Sequence, residues 1–405
     1  MKSPRLMFVA ATAAVAMNTS SLHSATFADD VAFLRQHQTV IELADPSGQA
    51  RVAVVPAWQG RIMTSTAGGG TGSSYGWVNR ELIASGKVAP HINVFGGEDR
   101  FWLGPEGGQF SIFFEQGATF DLAHWFTPAS IDTEPFKVAG QGPDRVAFNR
   151  TIHLKNFSGT AFDLEVTREI RVLNAVDTLS SLGLKLPKGV ASVAFESSNT
   201  VRNMGKQAWQ KSSGLLSIWI LGMFNASQSS TVVVPYEDGP DSALGPIVND
   251  NYFGKVPSER LIAKNGHVYF RADADYRSKI GFSPRRSKSL LGSYDAANHT
   301  LTLVHFTLPK GATDYVNSMW EMQEHPFGGD VVNSYNDGPP QPGAKQLGRF
   351  YELETSSPAL ALASGASATH VHQTIHLQGD EAALDAVARA ALGVGLAEIK
   401  GAFGK

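Results

Sequence analysis

The chain has 405 residues, which is enough for one large domain or two ordinary ones. Its net charge of −3 comes from interspersed acidic and basic residues without a basic stripe, which argues against a nucleic-acid partner. Because the chain has no cysteine, disulfides, thiolate nucleophiles and cysteine-based metal sites are excluded.

The N-terminal residues 1–28 have the pattern of an export signal. A basic start precedes the apolar run Leu6 to Met17, and small residues follow, with cleavage expected after Ala25 or Ala28. An N-terminal membrane anchor is the weaker alternative, because the apolar run is too short to span a bilayer. We therefore expect a periplasmic or secreted protein with no stable membrane insertion after signal removal.

Helix is expected only near the two ends of the mature chain. Residues 29–36 can form a short helix, and Asp380 can cap a C-terminal helix over residues 380–400 that carries one apolar stripe. From Thr39 to Leu377, short runs of alternating apolar and polar residues are separated by Gly, Pro, Asn and Asp. This pattern predicts an all-β sandwich or barrel. No linker or composition break divides residues 29–405, so a single domain is expected.

Two acidic residues alternate with apolar ones in the run Tyr351 to Thr355. In a strand, Tyr351 and Leu353 face one side, while Glu352 and Glu354 share the other. Carboxylates are rarely placed in a β-protein core without a partner or a task, so both are candidate functional residues. A β-bulge would change which of the two faces a cleft.

The segment from His91 to Gly108 combines groups that suit sugar recognition. Arg100 offers a planar set of donors for a hydroxyl pair or a carboxylate, and Trp102 offers a flat apolar face for a pyranose ring. Glu106 supplies an acceptor. A hairpin loop with a structural Arg–Glu pair is an equally open interpretation.

Other polar positions are further candidates. His124, flanked by aromatic residues, can act as a general acid or base near neutral pH, although most isolated histidines are structural. Arg202 lies in an Asn- and Ser-rich run suited to hydroxyl recognition. Tyr335 and Asn336 precede a Gly-Pro-Pro loop, and loops on a rigid scaffold often carry binding groups.

Three histidines, His370, His372 and His376, share one face of a predicted strand. Two histidines at this spacing can chelate a metal, but no carboxylate third ligand is nearby in sequence. We therefore expect neither a metal site nor a cofactor.

Several motifs together resemble the galactose-mutarotase-like (aldose 1-epimerase-like) superfamily, in an exported bacterial branch with no assigned activity. The similarity is greatest at the C-terminal end, where residues 353–355 read Leu-Glu-Thr and are followed by Pro358 and the turn 362–365. The Gly-Arg-Ile at 60–62 and the Gly-Gly at 96–97 also resemble motifs of this superfamily.

The resemblance implies a large two-sheet antiparallel β-sandwich with its site on a concave sheet face. Glu354 would be the general base that takes the proton of the anomeric hydroxyl, and a histidine would protonate the ring oxygen. Phe95 replaces one family histidine, and residues 199–203 contain no second one, so His124 is the candidate acid.

The leading hypothesis is an exported carbohydrate-active protein with epimerase-like acid–base chemistry on a small sugar or an oligosaccharide. Glu354 and His124 would be catalytic, and the expected sugar-binding residues are Arg100, Trp102, Glu106, Arg202, Tyr335, Asn336 and Glu352. One alternative is a non-catalytic carbohydrate-binding or cell-envelope module. Another is a glycoside hydrolase or lyase that uses paired carboxylates. The sequence leaves the oligomeric state open.

Overall fold

The structure is a computed structural model that describes residues 25–404. Most of the predicted signal segment, residues 1–24, lies outside the described residues. No helix within residues 25–404 has the length and apolar character needed to cross a membrane.

Eighteen strands make up most of the regular structure of the described chain. In chain order they are β1 (Ile41–Ala44), β2 (Arg51–Val55), β3 (Arg61–Thr66), β4 (Arg100–Gly104), β5 (Lys137–Gln141), β6 (Arg145–Lys155), β7 (Ala161–Leu173), β8 (Ala191–Asn203), β9 (Ser217–Asn225), β10 (Ser230–Pro235), β11 (Leu261–Lys264), β12 (His267–Arg271), β13 (Ser278–Phe282), β14 (Leu290–Asp295), β15 (Thr300–Phe306), β16 (Val332–Asn336), β17 (Phe350–Ser356) and β18 (Ser367–Gln378).

The strands form three antiparallel sheets. β1, β2 and β3 form a small sheet, which a bridge between Ile62 and Asp99 places beside the start of β4. The ten-stranded sheet has the order β11-β12-β10-β14-β15-β18-β8-β7-β6-β5. The five-stranded sheet has the order β13-β16-β17-β9-β4, and it carries the candidate site.

The five-stranded and ten-stranded sheets pack face to face. Phe101 of β4 and Ile220 of β9 pack with Phe148 of β6 and Phe195 of β8 in one cluster of fully buried residues. Burial of each such side chain contributes roughly 1.5–3 kcal/mol, so these contacts stabilise the sandwich and fix which face of each strand points inward. The predicted all-β antiparallel sandwich is confirmed.

Within residues 25–404, six α-helices are peripheral to the sheets. They are α1 (Phe27–Arg35), α2 (Arg80–Ser85), α3 (Ala175–Ser181), α4 (Asp241–Leu244), α5 (Glu381–Leu392) and α6 (Leu396–Lys400). α5 and α6 pack on the outer face of the ten-stranded sheet, against Leu301, Leu303 and Leu377. This packing explains why β15 is apolar on both faces.

The C-terminal segment forms two helices, whereas a single helix over residues 380–400 was expected. Asp380 caps α5 as predicted, since its carboxylate accepts from Ala382 N at 2.9 Å. Gly393 then ends α5 in the left-handed region, with φ 77°, and Gly395 precedes α6. A glycine adopts this C-terminal conformation without the steric cost of a side chain, so the helix stops there.

A buried polar network fixes the start of β4. Arg168 of β7 and Asp99 form a fully buried salt bridge at 2.6 Å. Asn199 accepts from Arg168 at 2.5 Å, and Ser197 donates to Asp99 at 2.7 Å. Asp99 directly precedes Arg100, the first residue of β4, so this network fixes where the strand begins. It therefore also fixes the β4 side chains that point away from the ten-stranded sheet.

Candidate functional site

The outer face of the five-stranded sheet forms the floor of a cavity of about 870 Å³. This volume lies near the upper end of the range for small-molecule sites, ~300–1,000 Å³. Loops around residues 89–94, 122–125, 252–253, 316–321 and 337–347 form its walls. The floor consists of alternate residues at or next to the five strands, namely Arg100, Trp102, Trp219, Leu221, Arg277, Lys279, Asn333, Tyr335 and Glu352.

The register of the strands brings the polar groups of the floor together. Lys279 of β13 pairs with Tyr335 of β16, which pairs in turn with Glu352 of β17. Glu354 lies two residues further along β17, opposite Asn333. Since side chains alternate along a strand, Glu352 and Glu354 lie on the same face, as the sequence pattern indicates.

Glu354 is fully buried at the edge of the floor. Its Oε2 accepts from Lys279 Nζ at 2.9 Å and from Trp219 Nε1 at 3.0 Å. Its other oxygen, Oε1, has no hydrogen-bond partner within the part of the chain that the structure describes. One oxygen is therefore occupied by a salt bridge and an indole, and the other remains available to a protonated neighbour.

Glu352 is that neighbour, and its carboxyl lines the cavity at 6% exposure. Burial first, and then the charge of Glu354, raise the pKa of Glu352 well above its usual value, against the opposing effect of Lys279. Because two neighbouring carboxyl groups do not both ionise readily, this environment favours the protonated form of Glu352. Glu352 can therefore donate a proton into the cavity.

Glu106 is a third carboxyl group in the same cavity. Trp320 Nε1 donates to its Oε1 at 3.1 Å. Burial raises the pKa of Glu106 to about 7, while Lys279 and the Trp320 hydrogen bond oppose the shift. A carboxyl with this pKa is present in both protonation states near neutral pH, which suits a general acid or base.

Arg100 is held rigidly beneath the cavity at 1% exposure. Its guanidinium forms a salt bridge with Asp132 at 2.9 Å and lies 4.3 Å from the centroid of the Trp102 ring. Asn93 donates to the same Asp132 carboxylate at 2.8 Å. Arg100 thus fixes the position of Trp102, and one of its terminal nitrogens is already bound to a carboxylate.

Aromatic rings form much of the cavity wall. Trp102 meets Trp219 edge to face at 5.5 Å between ring centroids, and Trp125 stacks with Trp320 at 5.6 Å. Flat aromatic faces next to convergent polar groups are the usual composition of a small-molecule site. The wall suits the apolar face of a sugar ring.

Comparison with known proteins identifies the family. Residues 25–403 match the sequence profile of a family of unknown function, DUF6786. The chain belongs to this family. No curated protein matches the sequence.

Solved structures share the fold of this DUF6786 protein. A putative aldose 1-epimerase from Escherichia coli K12 superposes with a TM-score of 0.51 at 12% identity, covering 84% of this chain and 98% of that chain. A galactose mutarotase-like protein from Lactobacillus casei ATCC 334 gives a TM-score of 0.46 at 9% identity, covering 84% of this chain and 100% of that chain. The predicted mutarotase-like fold is confirmed.

Within this mutarotase-like fold, the structure brings together most of the residues singled out from the sequence. Those that line the cavity are Arg100, Trp102, Glu106, Tyr335 and Glu352. Glu354 adjoins them but is enclosed by Lys279 and Trp219. The two glycines of 96–97 approach protein backbone and not a ligand, since a Cβ on Gly96 would lie 2.1 Å from Trp77 O.

Three residues of the predicted site lie away from the cavity wall. His124 is half exposed, and its Nδ1 is 2.7 Å from Asp121, because its short helical turn directs it to the surface. Arg202 is exposed on β8, where it donates to Gly365 O. Asn336 is buried on the opposite face of β16, where it donates to Tyr276 O at 2.9 Å.

Several residues that line or adjoin the cavity were not predicted from the sequence. Lys279 is the charged residue of β13. A lysine in a strand that is otherwise uncharged was the signal by which the sequence could have identified it. His91 also lines the cavity, with Nδ1 2.6 Å from Trp125 O. Because a carbonyl accepts, Nδ1 donates there and Nε2 remains available as an acceptor in the neutral ring. Tyr252 and Asp330 also line the cavity, and the Tyr252 hydroxyl donates to Asp330 at 2.5 Å.

Proposed function

We propose that the cavity binds a saccharide and catalyses proton transfer at its anomeric centre, in a reaction of the aldose 1-epimerase type. The observation that carries the proposal is the pair of carboxyl groups, Glu352 and Glu106, that face one aromatic cavity with raised pKa values. Opening a sugar ring needs a base at the anomeric hydroxyl and an acid at the ring oxygen. Glu352, whose protonated form is favoured by its surroundings, is the proposed acid, and Glu106 is the proposed base.

In the proposed reaction, ionised Glu106 takes the proton of the C1 hydroxyl while Glu352 gives its proton to the ring oxygen. The bond between C1 and the ring oxygen breaks, and its electron pair goes to that oxygen as C1 becomes a carbonyl. Rotation about the C1–C2 bond exposes the other carbonyl face. Reclosure returns the proton from the C5 hydroxyl to Glu352 and the proton on Glu106 to the new C1 hydroxyl, so both groups are restored.

Glu354 has a positioning role in this scheme. Lys279 and Trp219 donate to its Oε2, which leaves Oε1 to accept a hydrogen bond from protonated Glu352 between turnovers. The base predicted from the resemblance is thus moved from Glu354 to Glu106, because Glu354 has 0% exposure and Glu106 faces the cavity.

Anomer exchange tests the proposal. Exchange spectroscopy by NMR on purified protein with a panel of aldoses and uronic acids should show exchange faster than the spontaneous rate for at least one sugar. Glu106→Gln should abolish the acceleration, whereas Glu324→Gln, on the exposed surface, should leave it intact. Spontaneous rates with every sugar in the panel would refute the epimerase proposal.

A second candidate function is sugar binding without turnover. The specific observation in its favour is the closed salt bridge between Glu354 and Lys279, which neutralises the residue that matches the base of the family. It predicts sugar-dependent line broadening that persists in Glu106→Gln, with no accelerated exchange in any variant. Accelerated exchange by the unmodified protein would eliminate it.

We also propose that the protein is exported and that the signal is removed after Ala25. Thr26 accepts from Asp29 N and caps α1, and Phe27 is buried at 1% exposure, so cleavage after Ala28 would remove both. N-terminal sequencing of protein from the periplasm or the medium should give Thr26 as the first residue. Recovery of the uncleaved chain from the cytoplasm would contradict the proposal.

A further inference from the structure

Four lysine and arginine side chains line the cavity, and three of them have carboxylate partners. The salt bridges join Arg100 to Asp132, Lys279 to Glu354 and Lys345 to Glu81. Arg277 differs, since it makes no side-chain hydrogen bond or salt bridge with any residue in the range 25–404. A half-buried guanidinium whose N–H donors are unused in a ligand cavity is suited to bind an acceptor group of the ligand.

The surroundings of Arg277 hold its guanidinium in place without using its donors. The group lies 4.0 Å from the centroid of the Phe253 ring, and Phe253 also lines the cavity. The carboxylate of Asp337 is close enough for the charge of Arg277 to oppose the rise of its pKa, but its hydrogen bonds are with Tyr335 Oη at 2.7 Å and Gly348 N at 2.8 Å, which both donate to it. Stacking on an aromatic ring occupies the face of the guanidinium and leaves its N–H edge available.

The position of Arg277 relative to the carboxyl pair sets the size of the ligand. Arg277 comes two residues before Lys279, hence ~6.6 Å away along an extended strand and on the same face. Lys279 pairs through Tyr335 with Glu352. The backbones of Arg277 and Glu352 are therefore two strand spacings apart across the sheet and two residues apart along it, roughly 12 Å in all. Since both residues line the cavity, this separation leaves space for a pyranose ring between the ends of their side chains.

We propose that the sugar bound in this cavity carries a carboxylate, as a hexuronate does, and that Arg277 binds that carboxylate while the anomeric centre lies at Glu352. This inference rests on the proposed saccharide-binding function and names its substrate class. The planar donor edge of an arginine matches the two oxygens of a carboxylate in a bidentate contact. The ring between the two groups would lie against the aromatic wall.

The test compares uronates with the corresponding neutral sugars. Titrations of the whole protein with glucuronate, galacturonate, glucose and galactose, followed by tryptophan fluorescence or calorimetry, give the preference of the cavity for a carboxylate. We expect a uronate to bind at least about tenfold more tightly than its neutral counterpart, as a charge-assisted hydrogen-bonded pair provides. Arg277→Gln should remove that preference, so that a uronate and its neutral counterpart bind with similar affinity.

Controls separate this inference from the proposed function. Arg145→Gln, at an exposed position on the ten-stranded sheet, should retain the uronate preference. Equal binding of uronates and neutral sugars, unchanged by Arg277→Gln, would overturn the inference and leave the proposed function standing. Tighter binding of glucose 6-phosphate than of glucuronate would overturn the choice of a carboxylate. If no sugar of either class binds, the proposed function itself fails.

Discussion

Single carboxyl groups acquire different properties within this cavity because their surroundings differ. Glu354 is paired with Lys279, Glu352 is next to the carboxyl group of Glu354, and Glu106 is buried with one indole donor. The pKa of Glu352 is raised well above its usual range and that of Glu106 to about 7. Groups whose environments separate their pKa values are the ones that divide the roles of acid and base.

The pH dependence of activity should follow Glu106. Because its ionised form is the proposed base and its pKa is about 7, kcat/KM should rise as pH increases through about 7. Replacing Glu106 by Gln should remove this rise and lower the rate by ~10²–10⁴-fold. A pH series of anomer-exchange rates for both proteins checks this. A rate that falls through the same pH range would assign Glu106 as the acid instead.

At the residue scale, sequence patterns predicted which side chains share a face but not which groups meet in space. The alternation along residues 351–355 placed Glu352 and Glu354 together, since strand periodicity is a local property. Lys279 escaped notice because its partner Glu354 is 75 residues away in sequence. Whether the side chain of His124 reaches the cavity depends on the path of its loop, which no local pattern specifies.

At the scale of elements, the site depends on the order β13-β16-β17-β9-β4. This order places the lysine of β13 and the tryptophan of β9 on either side of the carboxyl groups of β17. Apart from β16 and β17, which are consecutive, neighbouring strands of this sheet come from widely separated parts of the chain, so their pairing is a tertiary property. The sequence predicted the strands from their alternation, but it carried no comparable signal for their order.

The Lys279–Glu354 salt bridge between these strands should be tightly coupled. Lys279→Met leaves a buried carboxylate without its partner, which should lower the free energy of unfolding by about 3–5 kcal/mol. The double variant Lys279→Met, Glu354→Gln should recover most of that loss, because the unpaired charge is gone. Urea denaturation of the four proteins of the cycle at pH 7 measures the coupling.

A matched control for this cycle is Lys345→Met. Lys345 and Glu81 are exposed at 75% and 80%, so loss of this salt bridge should change the free energy of unfolding by less than about 1 kcal/mol. Equal effects of Lys279→Met and Lys345→Met would show that the buried pair contributes no more than a surface pair.

At the scale of the whole molecule, the sandwich contains a polar layer between its sheets. His370 and His372 of β18 lie 2.8 and 2.9 Å from the hydroxyl of Thr355, on the inward face of β17. Burial lowers the pKa of His370 to about 3 and that of His372 to about 4. Both rings are therefore neutral in the folded protein across the physiological pH range.

This layer should make the fold sensitive to acid. The unfolded chain binds protons at these histidines below about pH 6.5. The folded protein binds them only near the lowered pKa values, about 3 for His370 and about 4 for His372. The free energy of unfolding is therefore highest above about pH 6.5 and decreases as the pH falls. Each histidine accounts for a decrease of ~2 kcal/mol between pH 7 and pH 5. Urea denaturation at the two pH values should show a smaller pH effect in His372→Gln than in the unmodified protein.

The control for acid sensitivity is His325→Gln, at an exposed position, which should keep the full pH effect. An unchanged pH effect in His372→Gln would show that the histidine layer is not the source. The sequence placed these histidines on one face of a strand, but whether that face lies between the sheets or in solvent depends on the packing of the whole sandwich.

The most direct test of the central claim is the anomer-exchange rate at pH 7 of the unmodified protein beside Glu352→Gln and Glu324→Gln. If Glu352 is the acid, the unmodified protein and Glu324→Gln should accelerate exchange equally. Glu352→Gln should lose ~10²–10⁴-fold of that acceleration while sugar-induced shifts persist. Undiminished exchange by a folded Glu352→Gln variant would contradict the assignment of acid–base chemistry to this carboxyl group.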